Sequence, residues 1–98
     1  MYGSVSRWRV KDGKGPEMEA LADELMRDRP SGAISVSIYR SDTDPNEYWV
    51  AGMFASREAY AANSATPEQN ERFGKLRELM AADPEWHDGE IVVHHAAD

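Results

Sequence analysis

The stretch GAISVSIYRSDTDPNEYWVAGMF, residues 32–54, decides the fold. Its first part alternates apolar and polar side chains, as a strand with one buried face does. Ser, Asp, Pro and Asn then follow one another, and these residues favour turns. The last part is apolar on both faces, with Tyr48 and Val50 on one and Trp49 and Met53 on the other. The stretch therefore predicts a β-hairpin whose second strand is covered on both sides.

The segments on either side of the hairpin predict further strands and helices. Residues 4–10 alternate as a first strand, and residues 18–26 carry apolar side chains at helical spacing. Residues 56–80 predict a second helical region, which we expect to break at Pro67 because proline interrupts the hydrogen bonds of a helix interior. Residues 85–89 predict a loop, and residues 90–96 predict the last strand.

This order of elements, β-α-β-β-α-β, is typical of the ferredoxin-like α+β fold. Right-handed crossovers place both helices on one face of a four-stranded antiparallel sheet, with the first and third strands at its centre. Residues 1–98 then form one domain. The other sheet face stays bare, so we expect a homodimer that pairs sheet to sheet. Arg7 and Arg9 lie on this outer face, where they either pair with acids of the partner or face solvent.

Composition excludes several classes of function. The net charge of −7 disfavours nucleic acid, which needs a basic surface. The chain has no cysteine, which removes thiolate chemistry and cysteine-type zinc sites and fits a cytoplasmic protein. No apolar run is long enough to span a membrane, so we expect no membrane partner.

The best candidate site combines aromatic walls with a few polar groups. Trp8 shares a strand face with Ser6, while Tyr60 and Asn63 lie one helical turn apart on the inner side of the second helical region. With Phe73 they would form a ligand pocket in which Tyr60 and Asn63 are the catalytic candidates. An amide and a phenol there can bind a planar phenolic ligand and stabilise an enolate-like oxyanion. The alternative is a core whose polar groups bond one another.

The histidines carry a weaker signal. His94 and His95 are neighbours on the predicted last strand, so they point to opposite faces and cannot chelate one metal ion. His87 beside Asp88 is either an oriented base or a residue of a turn. No spacing of ligands predicts a metal site.

Three segments carry a resemblance to a known family: Pro-Ser-Gly at 30–32, Tyr-Arg-Ser-Asp-Thr-Asp-Pro at 39–45 and Phe-Ala-Ser-Arg-Glu-Ala-Tyr at 54–60. On these the chain resembles the antibiotic biosynthesis monooxygenase family of the dimeric α+β barrel superfamily. The resemblance implies a small pocket between helices and sheet, and oxidation of a small aromatic or quinol-type compound by O2 without a cofactor. The alternative is a non-catalytic small-molecule-binding or structural dimer of the same fold.

Some members of that family degrade haem instead. They carry an Asn on the first strand, a Trp early in the second helix and an iron-ligating His nine residues later. The matching positions here are Ser6, Asn63 and Arg72. These departures predict that the chain holds no intrinsic haem, binds added haem only weakly and does not open it, because no axial histidine remains at that place.

Overall fold

The computed structural model describes residues 1–29 and 31–97. Its strands and helices follow the predicted order, with the second helical region divided in two. The strands are β1 (Tyr2–Arg9), β2 (Ala33–Arg40), β3 (Glu47–Phe54) and β4 (Glu85–Glu90). The helices are α1 (Gly15–Leu25), α2 (Arg57–Ser64) and α3 (Pro67–Arg77).

The strands form one antiparallel sheet in the order β2-β3-β1-β4. The first and third strands are therefore central, as the two-sided apolar character of β3 predicts. In the described part of the chain this is a four-stranded sheet with three helices, which confirms the ferredoxin-like α+β fold.

The core lies between the helices and one face of the sheet. Alternate residues of the central strands supply one side of it, and apolar side chains of the helices supply the other. The buried members include Trp8, Tyr48, Val50, Met18, Ala22 and Leu76. We call this the inner face of the sheet, and the opposite side the outer face.

Side-chain caps set the beginnings of α2 and α3. The Ser56 hydroxyl accepts a hydrogen bond from the Ala59 amide at 3.1 Å, and the Thr66 hydroxyl accepts one from Gln69 at 3.1 Å. Pro67 occupies the first turn of α3, where its missing N–H is not needed. These contacts confirm the expected break at Pro67. Among the described residues no helix has the length and apolar character needed to cross a membrane.

The end of the chain differs from the prediction. Residues 85–89, expected to be a loop, belong to β4, and residues 91–97, expected to be mostly strand, have no regular structure. Pairing decides this: β4 bonds along β1, and Trp86 lies opposite Ser6 on the inner face. Val92 is 86% exposed, so its strand propensity finds no partner strand or core.

The two arginines of β1 are paired within the chain. An Arg7 nitrogen lies 2.6 Å from a Glu47 oxygen, and an Arg9 nitrogen lies 3.1 Å from an Asp44 oxygen. The structure thus adds intrachain ion pairs to the two expected arrangements, while the side chains of Arg7 and Arg9 remain 35% and 42% exposed. Pairing with acids of a partner stays a prediction. Sheet register explains the intrachain pairing, because Arg9 lies directly opposite Glu47 on the neighbouring strand and Arg7 is two residues away on the same face.

Candidate functional site

A cavity of about 190 Å³ opens between the inner face of the sheet and the ends of the three helices. The structure brings all five predicted pocket residues to its wall: Ser6, Trp8, Tyr60, Asn63 and Phe73. Strand alternation places the first two on the inner face, and helical spacing turns the others toward it. Their role in binding a ligand stays a prediction.

Trp8 forms a fixed aromatic wall of the cavity. Its indole nitrogen donates a hydrogen bond to the Ser6 hydroxyl at 2.9 Å. The Phe73 ring meets it edge to face at 6.2 Å between centroids, and Trp86 meets Phe73 at 5.5 Å. Trp8 is only 2% exposed, so the packing around its ring holds it in place at the edge of the cavity.

Tyr60 presents a phenol at another side of the cavity. Its ring packs edge to face against Phe54, with centroids 5.2 Å apart. Its hydroxyl donates to an Asp88 oxygen at 3.1 Å, and the Ser4 hydroxyl donates to the same oxygen at 2.6 Å. Burial is the largest cause that raises the pKa of Tyr60, and the neighbouring Asp88 carboxylate raises it further. Tyr60 is therefore a neutral hydroxyl at neutral pH, with a carboxylate behind it.

Asn63 lies in the last turn of α2, where the chain turns into α3. Its backbone carbonyl accepts hydrogen bonds from the Thr66 amide at 3.1 Å and the Thr66 hydroxyl at 2.9 Å. Its side-chain amide lines the cavity and has no hydrogen-bond partner among residues 1–29 and 31–97. The cap of α3 thus holds the backbone while the amide stays available to a ligand.

Sequence reasoning missed the residues that β4 supplies. Trp86 lines the cavity, and Asp88 accepts the hydrogen bond of Tyr60. The prediction of a loop at residues 85–89 rests on Pro84 and Gly89, which bound the segment and are typical of turns. The signal that identifies them is alternation, since residues two apart on a strand share a face.

The histidines lie outside the site. His87 points to the outer face and lies 3.1 Å from a Glu85 oxygen, so Asp88 does not orient it. His94 and His95 are exposed in the segment without regular structure, and not on a strand as predicted. The described residues include no group of three or more His, Cys, Asp or Glu able to hold a metal ion.

The comparison with protein families decides the assignment. The antibiotic biosynthesis monooxygenase family matches residues 1–76, which include β1 to α2 and almost all of α3. The chain belongs to this family. A comparison with curated proteins found no match.

Solved structures of the same fold extend over almost the whole chain. A protein of Chloroflexus aurantiacus classed with the antibiotic biosynthesis monooxygenases is 25% identical, with 97% of this chain and 96% of that chain covered and a TM-score of 0.82. A variant of SnoaB, a cofactor-independent oxygenase from Streptomyces nogalater, is 19% identical, with 95% and 94% covered and a TM-score of 0.83. A family protein of Caulobacter crescentus is 22% identical, with 94% and 90% covered and a TM-score of 0.82.

Family membership gives the three positions matched to haem-degrading relatives a place in the structure. Ser6, Asn63 and Arg72 all line the one cavity. Arginine at the third position cannot replace histidine as an iron ligand, because its guanidinium stays protonated. The absence of intrinsic haem stays a prediction.

Proposed function

We propose that this chain is a cofactor-independent monooxygenase that oxidises a small phenol or quinol with O2. The observation that carries the proposal is the cavity, in which a rigid wall of Trp8 and Phe73 meets the hydrogen-bonding groups of Tyr60 and Asn63. A cavity of about 150 Å³ is enough for benzene. The 190 Å³ here therefore suits a single aromatic ring with a small substituent.

In the proposed reaction, the ligand's phenolic oxygen binds between Tyr60 and Asn63. The Tyr60 oxygen accepts the phenolic proton as Tyr60 transfers its own proton to Asp88, to which it is already hydrogen-bonded at 3.1 Å. The Asn63 amide donates a hydrogen bond to the phenolate that forms. Because Asp88 is exposed, it can return the proton to water.

An electron-rich ring carbon that carries hydrogen, para to the phenolate, then forms a bond to dioxygen. Cleavage of the O–O bond leaves one oxygen atom as a new carbonyl. The second oxygen atom leaves as water, with the hydrogen of the attacked ring carbon and the phenolic hydrogen. The substrate, which becomes a quinone, supplies every electron that dioxygen takes up. The proposal therefore needs no reductant and no cofactor, in keeping with the resemblance to oxygenases of this fold.

We also propose that the protein is a homodimer that pairs through the outer face of the sheet. Large apolar side chains are exposed there: Val5 is 47% exposed, Tyr39 60% and Trp49 42%. The charged groups beside them are largely neutralised within the chain by the pairs Arg7–Glu47 and Arg9–Asp44. An apolar surface with paired charges favours burial against a second copy. The cytoplasmic location expected from the sequence likewise stays a prediction.

Oxygen uptake tests the enzymatic proposal. The protein is mixed with single-ring phenols and dihydroxy-aromatic compounds in an oxygen electrode, and binding of each compound is measured by calorimetry. We expect saturable oxygen consumption with at least one compound that binds. Binding of these compounds without any oxygen consumption would support the alternative, a non-catalytic binding or structural dimer.

A further inference from the structure

We propose that Arg29 and Arg72 form an anion subsite at the cavity, and that the ligand is a single-ring aromatic acid. The inference rests on the cavity of the proposed function and narrows its substrate class. Arg72 lies on α3, and Arg29 follows the end of α1. Both line the cavity.

Both guanidinium groups have one contact to a backbone carbonyl and further N–H donors that are available to a ligand. An Arg29 nitrogen donates to the Ile34 carbonyl at 2.8 Å, and an Arg72 nitrogen reaches the Asp28 carbonyl at 3.5 Å. A guanidinium has five N–H donors in a planar fork, which matches the two oxygens of a carboxylate. The 2.8 Å bond orients the Arg29 guanidinium, and both arginines keep most of their donors for a ligand.

Most arginines of the chain are paired with an acid, whereas the two at the cavity are not. Five arginines form ion pairs with acids of the chain: Arg7, Arg9, Arg27, Arg40 and Arg77. Within residues 1–29 and 31–97, Arg29 and Arg72 form none, although the chain has 18 acidic residues against 11 basic ones. Arg57 is also without an ion pair to the described residues, but it does not line the cavity.

The charge at the cavity favours an anion. Asp28, Arg29 and Arg72 are its charged lining residues, so cations outnumber carboxylates. This local excess is needed because the chain's net charge of −7 repels anions at longer range. The remaining wall is largely apolar and includes the rings of Trp8, Phe73 and Trp86, so we infer that the anion carries a ring. The carboxylate then lies at the two arginines, while the phenolic oxygen lies between Tyr60 and Asn63.

A matched pair of probes tests the subsite. We would titrate the protein by calorimetry with meta-hydroxybenzoate and with meta-hydroxybenzyl alcohol, which has a similar size and no charge. We expect the acid to bind about tenfold tighter or more, because hydrogen bonds to charged groups are the strong ones. Added salt should weaken binding of the acid and leave the alcohol unchanged.

Three variants assign the effect to the arginines. Arg72→Gln should remove most of the preference for the acid, and Arg29→Gln should reduce it. Asp28→Asn should tighten binding of the acid alone. Arg57→Gln, which removes the same charge outside the cavity, is the control and should change neither affinity. Thermal melting by circular dichroism checks that each variant is folded.

The outcomes separate this inference from the enzymatic proposal. Equal affinities for acid and alcohol, no binding of either, or the same loss in Arg57→Gln as in Arg72→Gln would overturn the subsite. If the alcohol binds as well as the acid and is oxidised, the oxygenase stands and the subsite falls. If the acid binds through Arg72 without oxygen uptake, the subsite stands and the oxygenase falls.

Discussion

At the scale of single residues, the Asn63 side-chain amide lines the cavity and is available to a ligand. We expect Asn63→Leu to weaken binding of a phenolic ligand by about 1–3 kcal/mol, the effect of losing a buried polar contact. Calorimetry with the best ligand of the oxygen-uptake panel measures this. Asn70→Leu, an exposed position on α3 outside the cavity, is the matched control. Equal affinities of wild type and Asn63→Leu would show that the amide does not touch the ligand.

Glu19 gives a prediction on pH. Its carboxylate accepts hydrogen bonds from Arg40 of β2 at 2.7 and 2.8 Å and from the Tyr48 hydroxyl of β3 at 2.5 Å. These hydrogen bonds lower the pKa of Glu19 below its ordinary value of 4.5, and the bond from Arg40 has the largest effect. The stabilisation is therefore complete above pH 4.5 and is lost as the pH falls through the lower pKa of the folded state.

We expect Glu19→Gln to unfold at lower urea concentration than wild type at pH 7, and to lose less stability on acidification. Urea unfolding followed from pH 7 to pH 3 measures both effects. Glu24→Gln, an exposed acid of the same helix, is the control and should follow the wild-type profile. If Glu19→Gln and wild type lose the same unfolding free energy between pH 7 and pH 3, Glu19 does not cause the acid sensitivity.

At the scale of elements, Gly13 and Gly32 allow the effect of backbone strain on stability to be measured apart from the effect of close packing. Both have positive φ, +85° at Gly32 and +78° at Gly13. A Cβ on Gly32 would lie 2.6 Å from the Ala59 Cβ of α2, whereas one on Gly13 would meet nothing within 4 Å. Strain from positive φ costs about 1–3 kcal/mol at either position. We expect the alanine variant of Gly32 to lose more stability than that of Gly13, since it also displaces α2.

Denaturant unfolding of Gly13→Ala and Gly32→Ala measures the two effects side by side. The difference between the two changes in unfolding free energy then reports the contact between the start of β2 and α2. Equal losses would mean that α2 moves away from β2 without cost.

The strands and helices differ in how well the sequence predicts them. Alternation in β1 and β3 and spacing in α2 were enough to place Trp8 and Asn63 at one cavity, because these patterns follow from backbone geometry alone. The strand β4 was missed because its pairing depends on the neighbouring β1 and on the contact of Trp86 with Phe73, and not on its own composition. Asp88 was missed with it, and so was the hydrogen bond that makes Tyr60 a candidate for proton transfer.

At the scale of the whole molecule, the outer face predicts the oligomeric state. Met53 lies on that face, and Met53→Asp would place an unpaired carboxylate in the proposed sheet-to-sheet contact. We expect wild type to sediment as a dimer at micromolar concentration and Met53→Asp to be monomeric or aggregated. Val92→Asp, which changes a residue that is 86% exposed and outside the sheet, should stay dimeric. A monomeric wild type would rule out the proposed interface.

In the proposed reaction, the residues of the cavity are enough to oxidise a phenol with dioxygen, without a metal or cofactor. The most direct measurement is a reaction under isotope-labelled dioxygen, with protein freed of metal by a chelator and with the compound of highest oxygen uptake. Mass spectrometry follows the label in the product. We expect one labelled oxygen atom in each quinone molecule and the second labelled atom in water. We also expect Asn63→Leu to form the product more slowly than wild type. A product without label, or a reaction that stops when metal is removed and returns when it is restored, would contradict the proposed reaction.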